Sequence, residues 1–253
     1  EISACLVGSE MCIRDRWIGT ESGLNKYDGY SFRQYHRDNS ELPDDAIINI
    51  FEGPEMNVWI RTSNGYSIYD YKTGKFDNDY KTTLEKLKIP SKNILRIGKT
   101  PKNEFWAYDH SKIYILNIDN NSLKAYPLSI EKISNISIGV QYIYVMYSNG
   151  VLYSINKQTS ETREITIPAI YKPLLEDHEP HVYTDQSESI WIYTYQNSLL
   201  LYKSNLTQQW EDICLNSCND IQYNRVQRIL DLGDGNVSVS YTHLRAHETG
   251  RNL

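Results

Sequence analysis

The sequence predicts an all-β chain made of β-propeller blades, and three observations predict it. A tryptophan-led segment recurs: Trp17-Ile18-Gly19-Thr20, Gly23 and Tyr27-Asp28 reappear at the same offsets as Trp59-Ile60-Arg61-Thr62, Gly65 and Tyr69-Asp70. Weaker copies begin at Trp106, Tyr144 and Trp191, so successive separations are 42, 47, 38 and 47 residues. Each copy is flanked by short apolar runs and turn residues, about four strands per unit. Residues 82–88 are the one amphipathic stretch with helical spacing.

The elements follow in order. An apolar run at 47–51 and the turn through Gly53, Pro54 and Asn57 lead into Trp59; residues 94–97 and the turn at 101–103 lead into Trp106. A second turn and strand follow each copy, as at 71–76. Gly23, Gly65 and Gly150 stand where a hairpin needs positive φ. The Trp-Ile strands carry bulky residues at adjacent positions, as expected of a sheet covered on both faces. A lone four-stranded sheet leaves its faces open, whereas neighbouring blades cover one another. A β-helix or sandwich is the competing architecture, but sandwiches lack such a repeat. Residues 226–232 and the turn at 233–236 repeat the approach to Trp59, which predicts a sixth first strand. The expectation is about five four-stranded blades, either part of a seven-bladed ring or five blades closed by both chain ends.

The 253 residues include 26 Lys+Arg and 32 Asp+Glu, for a net charge of −6. With 12% aromatic residues the chain has material for a core. No run approaches the roughly 18 to 20 apolar residues of a spanning helix. A mildly acidic chain without a basic block is a poor partner for nucleic acid.

The two ends carry a different signature. Encoded as CTC GTG GGC TCG GAG ATG TGT ATA AGA GAC, residues 6–15 have a reverse complement that translates as residues 239–248. Extended outward and inward, the same inverted repeat relates 1–16 to 238–253. These segments look like translated transposase adapters from sequencing-library preparation; the inverted repeat of a mobile element is the alternative. Neither would be selected to fold, so residues 1–16 and 238–253 are set apart from the propeller region 17–237. On this reading the chain is a fragment cut within a blade on both sides. Cys5 and Cys12 then carry no weight, and Cys214 and Cys218 suit either a small disulfide or two free thiols.

Residues 17–20, 23–32, Leu42-Pro43 and Asn57-Val58-Trp59-Ile60 resemble the two-component regulator propeller repeats of hybrid two-component sensors from Bacteroidetes-type bacteria. Arg61, Tyr193 and Ala107 replace the glycine usual in that family after Trp-Ile. The resemblance implies a periplasmic sensor of two seven-bladed propellers and a small β-sandwich, then a membrane helix, histidine kinase, receiver and DNA-binding domain. It also implies a homodimer, oligosaccharide ligands from dietary or host glycans, and the rest of the kinase chain as partner.

The candidate ligand-binding residues are Asp44, Asp45, Arg96, Tyr223, Asn224, Arg225 and Arg228, on or just before first strands. Each has a plainer reading: the two aspartates as turn formers, the others as hydrogen-bond partners of a neighbouring blade. Twenty of the 21 tyrosines fall within 17–237, and some can stack on sugar rings. His36, His110, His178 and His181 show no metal spacing, and the last two, in an acidic loop, read as solvated. No nucleophile elbow, phosphate loop, zinc signature or kinase motif is present, so no catalytic residue, metal or cofactor is expected. The favoured function is non-enzymatic ligand sensing. A five-bladed glycoside hydrolase, needing paired axial carboxylates, and a protein-interaction propeller are the alternatives.

Overall fold

A computed structural model describes residues 7–8, residues 15–213 apart from 91, 101, 130, 177, 197 and 198, and residues 224–231 and 237–243. Among them stand five four-stranded antiparallel sheets and one two-stranded sheet, each paired in chain order. The first holds β1 (Val7–Gly8), β2 (Arg16–Thr20), β3 (Gly23–Tyr27) and β4 (Phe32–Tyr35). The second holds β5 (Ile47–Glu52), β6 (Val58–Thr62), β7 (Gly65–Asp70) and β8 (Lys75–Asp77). The third holds β9 (Arg96–Lys99), β10 (Glu104–Tyr108), β11 (Lys112–Asn117) and β12 (Ser122–Pro127). The fourth holds β13 (Ile133–Ile138), β14 (Tyr142–Tyr147), β15 (Leu152–Asn156) and β16 (Thr162–Ile165). The fifth holds β17 (His181–Thr184), β18 (Ile190–Tyr193), β19 (Leu200–Lys203) and β20 (Trp210–Asp212), and the sixth β21 (Asn224–Asp231) and β22 (Val237–His243).

The repeat maps onto this frame. Trp17, Trp59, Trp106, Tyr144 and Trp191 all lie on the second strand of their sheet. The recurring Thr and Gly build the next turn: Thr20 Oγ1 donates to the Gly23 carbonyl at 2.9 Å, and Thr62 Oγ1 to that of Gly65 at 3.1 Å. Gly23 and Gly65 have φ of 131° and 126°, where a Cβ would be strained. The recurring aspartate closes the third strand. Asp28 Oδ1 accepts from the Tyr30 and Ser31 N–H groups, and Asp70 Oδ1 from that of Lys72. Asn117, Asn156 and Ser204 do the same after β11, β15 and β19.

The register corrects one correspondence. Trp106 faces Gly98 as Trp59 faces Phe51, so Tyr108, not Ala107, takes the place of Arg61 and Gly19. The expected helix is α1 (Tyr80–Lys86), beginning two residues before the stretch read from the sequence because Asp79 caps it, accepting from the Thr82 N–H at 3.2 Å. A further turn of helix, α2 (Lys172–Leu175), is too short to leave a periodic pattern.

Residues 7–8 and 238–243, inside the two inverted segments, take strand positions. A sheet edge offers unpaired N–H and C=O groups to any extended chain, whatever its origin. Ser238 accordingly faces Leu230 where Trp59 faces Phe51. β21 pairs with β22 and β2 with β1, so neither chain end completes the other's sheet among the described residues.

The chain divides into two compact units, Glu1–Ser129 and Ile130–Leu253. In the first unit, one core lies between the first and second sheets, around Trp17, Ile50, Ile60 and Tyr69. Another lies between the second and third, around Trp59, Phe105, Ile97 and Leu84. The second unit repeats the pattern between the fourth and fifth sheets, around Met146, Ile192 and Leu201. Among the described residues no helix is long and apolar enough to cross a membrane.

Candidate ligand-binding site

Four of the first strands, β5, β9, β13 and β21, share an irregularity. β5 shifts register between Ile47 and Asn49, β13 between Ile133 and Asn135, and β21 between Val226 and Arg228. In the third sheet the Leu95 N–H donates to the Tyr108 carbonyl at 2.8 Å while Arg96 is the register partner of Tyr108, again two residues against one. Such bulges turn a side chain out of the pleat. In the first unit the turned-out residues are Ile48 and Leu95, 48% and 42% exposed despite being large and apolar.

The first strands of the second to sixth sheets carry a polar residue at one equivalent position, just after the bulge where there is one. These are Asn49, Arg96, Asn135, His181 and Arg228, paired with Arg61, Tyr108, Met146, Tyr193 and Ser240. Two residues expected from the sequence, Arg96 and Arg228, therefore share a structural position that spacing alone does not show.

In the first unit these positions form a cluster. Arg61 pairs across strands with both Asn49 and Tyr66, so the three share one face of the second sheet. Tyr66 reaches the third sheet, its hydroxyl accepting from the Ile97 N–H at 2.9 Å and lying 3.4 Å from the Ile97 carbonyl. Arg96 precedes Ile97 and faces Tyr108. Burial pushes the Tyr66 phenol up, against the pull of the Arg61 charge, the Ile97 hydrogen bond and the Arg96 charge. Burial also pushes Tyr108 up, and Arg96 and Arg61 oppose it there too. Both guanidinium groups thus act on both phenols.

Ion pairs among the described residues are Lys26–Asp15, Lys99–Glu52 and Arg163–Glu161, and His36 Nδ1 lies 4.0 Å from Asp45. Partly buried Arg61 and Arg96 belong to none of them. Lys99 and Glu52, 3.5 Å apart, tie β9 to β5 toward the other end of the same two strands. A cavity of about 310 Å³ lined by Pro54, Asn57, Asp70, Lys75 and Lys86 also lies at that opposite end of the second sheet.

The second unit holds aromatic groups at the equivalent positions. The His181 ring stacks on Tyr193 at 5.4 Å and meets Tyr195 at 4.3 Å. His181 is 9% exposed, which corrects the solvated reading: it lies within β17, not in the acidic loop before it. Tyr195 is 39% exposed and offers an open ring. Asn135 Oδ1 accepts from the Val182 N–H and Ser137 Oγ from that of Thr184, so here the polar residues join neighbouring first strands. Glu188 reinforces this seam by accepting from the Gln141 N–H and the Tyr144 hydroxyl.

The remaining sequence candidates stand as follows. Asp44 Oδ1 accepts from the Ala46 N–H at 2.9 Å, and Asp45 Oδ1 from the Arg37 N–H at 2.8 Å, so both shape the entry to β5. Asn224, Arg225 and Arg228 lie on β21 opposite His243, Thr242 and Ser240. Tyr223, Cys214 and Cys218 lie outside the described residues. Sequence reading noted Arg61 and Tyr193 only as departures from glycine and passed over Tyr66, Tyr108 and Tyr195. The available signal was the second residue after each repeat-leading aromatic, which is Arg61, Tyr108 and Tyr193 in three copies.

No family model and no curated protein matches the sequence. Solved structures share its β-propeller fold. The extracellular domain of the hybrid two component system BT3049 from B. thetaiotaomicron is similar with a TM-score of 0.56 and 16% identity, over 94% of this chain and 32% of that one. A streptogramin B lyase matches at TM-score 0.57 and 18% identity, over 94% and 75%. YCF48 bound to D1 peptide matches at 0.56 and 11%, over 95% and 76%. The chain spans about a third of the length of the BT3049 domain. A sensor domain, a lyase and a peptide-bound protein share this architecture, so the fold alone does not choose among their activities.

Proposed function

We propose that this chain is part of the periplasmic sensing propeller of a hybrid two-component histidine kinase, and that it binds glycan breakdown products. The observation that carries the reading is a set of polar and aromatic side chains at one repeated position of the first and second strands, without paired carboxylates among the described residues there. The fold likeness to the extracellular domain of BT3049 supports it. Exposed aromatic rings such as Tyr195 suit the apolar face of a pyranose, and arginine and asparagine suit its hydroxyls. Binding would bias the placement of sensor domains by no more than the ligand's differential affinity for the two arrangements, and a membrane helix would carry that bias to the kinase.

Recovering the source locus beyond both inverted segments is the direct test. The expected result is an open frame running on into a second propeller, a membrane helix and a histidine kinase, with 1–16 and 238–253 absent from the gene. A frame that ends in a closed propeller with no kinase removes the signalling role. The peptide-bound YCF48 structure supplies the second reading, a protein-interaction propeller. It predicts that peptides bind the full-length protein and that no oligosaccharide does.

A further inference from the structure

The first unit holds two partly buried arginines at one seam, and neither has a carboxylate partner among the described residues. A buried charge left unpaired is costly, because the interior does not replace the water it loses. Arg61 stands where the preceding sheet has Gly19, so a cation has been placed in the part of the seam that is elsewhere closed by direct contact. Tyr108, 3% exposed, stands opposite Arg96 in the register of the third sheet. Ile48 and Leu95, turned out by the bulges next to Asn49 and Arg96, add an exposed apolar surface.

We propose that Arg61 and Arg96, with the hydroxyl of Tyr108, form a subsite for the anionic group of a saccharide, a uronic carboxylate or a sulfate ester, whose apolar ring face rests on Ile48 and Leu95. The site rests on the sensing role proposed above and sharpens it from glycans in general to acidic ones. Guanidinium groups match carboxylate and sulfate oxygens with paired donors, and charge-assisted bonds of this kind are the strong ones. The phenols support the placement, since each is acted on by both arginine charges.

The test is calorimetric titration of the full-length protein with trigalacturonate, a sulfated chondroitin disaccharide, inorganic sulfate and neutral maltotriose. The expected result is binding of at least one acidic saccharide, weakened by added salt, and no measurable binding of maltotriose. The carboxylated and sulfated probes separate the two sources of charge. Arg61→Met and Arg96→Met should each weaken binding by about tenfold to a hundredfold, while Arg61→Lys, which keeps the charge and loses the fork, should fall between. Thermal melts run alongside establish that the variants are folded. Binding of maltotriose, unchanged in both arginine variants, overturns the anionic subsite and leaves the sensing role standing. Failure of every saccharide overturns both. Binding of inorganic sulfate alone, or of an acidic saccharide with equal affinity in the variants, also overturns the subsite.

Discussion

Two seams in the first unit use one repeat position in opposite ways. Between the first and second sheets the position is Gly19, and a Cβ built there would lie 2.5 Å from Ile47 Cγ2 and 3.2 Å from Ile50 Cδ1. Between the second and third sheets it is Arg61, and the counterpart of Ile47 is Ile94, which is only partly buried where Ile47 is 2% exposed. The polar groups divide similarly. At the first seam Lys26 lies within 5.6 Å of the Trp17, Tyr69 and Tyr71 ring centres, a cation engaged by three aromatic rings without counting Asp15 of the set-apart segment. At the second, Arg61 and Arg96 have no carboxylate partner among the described residues. The same four-stranded unit therefore makes a close apolar contact where the position is glycine and places a partly buried cation where it is arginine.

The largest expected effect lies in the second seam and tests whether it is a core at all. Trp59 is fully buried against Phe51 and Phe105, with ring centres 6.1 and 5.1 Å away. Trp59→Ala should cost about 4 kcal/mol in chemical denaturation, from lost transfer energy and the cavity left behind. A loss below 1 kcal/mol would mean the second and third sheets do not pack as described. Next, Gly19→Ala should cost about 2 kcal/mol by overpacking. Arg61→Ala, at the same repeat position, should change stability by less than about 1 kcal/mol, because an unpaired and partly buried charge is removed. Equal costs at the two positions would erase the contrast.

A smaller effect lies in the bridge between sheets. Tyr66→Phe removes the acceptor of the Ile97 N–H and should cost about 1.5 kcal/mol, the penalty of an unsatisfied buried donor. A melt indistinguishable from the parent would show that the bridge adds nothing. The smallest effect is alkaline. Tyr35, in the first seam, has a phenol oxygen that is buried without a partner, and burial pushes its pKa from an ordinary value near 10 up to about 12. Above pH 10 the unfolded chain releases this proton while the folded chain keeps it, so stability should fall as pH rises from about 10 towards about 12. Tyr35→Phe should show a shallower decline in Tm over that window. An identical decline would assign the alkaline loss to other groups.

Much of the fold was legible because the repeat is written in local chemistry. Trp-Ile pairs mark second strands, Thr and Gly build the turn after them, and Asp28 and Asp70 close third strands with bonds to residues two or three positions on. Asn117, Asn156 and Ser204 serve the same purpose with different side chains, which hid the turn at those places. The site was legible in part. Arg96 stood out as a charged residue on a first strand, but Arg61 looked like a flaw in the pattern, and nothing nearby in the chain ties it to Ile97 or Tyr108.

By itself, then, the order of residues determined the strands, their turns and the equivalence of the sheets, since these depend on interactions reaching only a few positions along the chain. Which repeat positions meet across a seam was decided by the tertiary structure. So were the bulges that expose Ile48 and Leu95, the tyrosine that spans from β7 to β9, and the lack, among the described residues, of a carboxylate paired with either arginine. The reason is that burial and charge compensation depend on what lies opposite in space, and the packing of one sheet on the next brings together residues as distant as Tyr66 and Ile97.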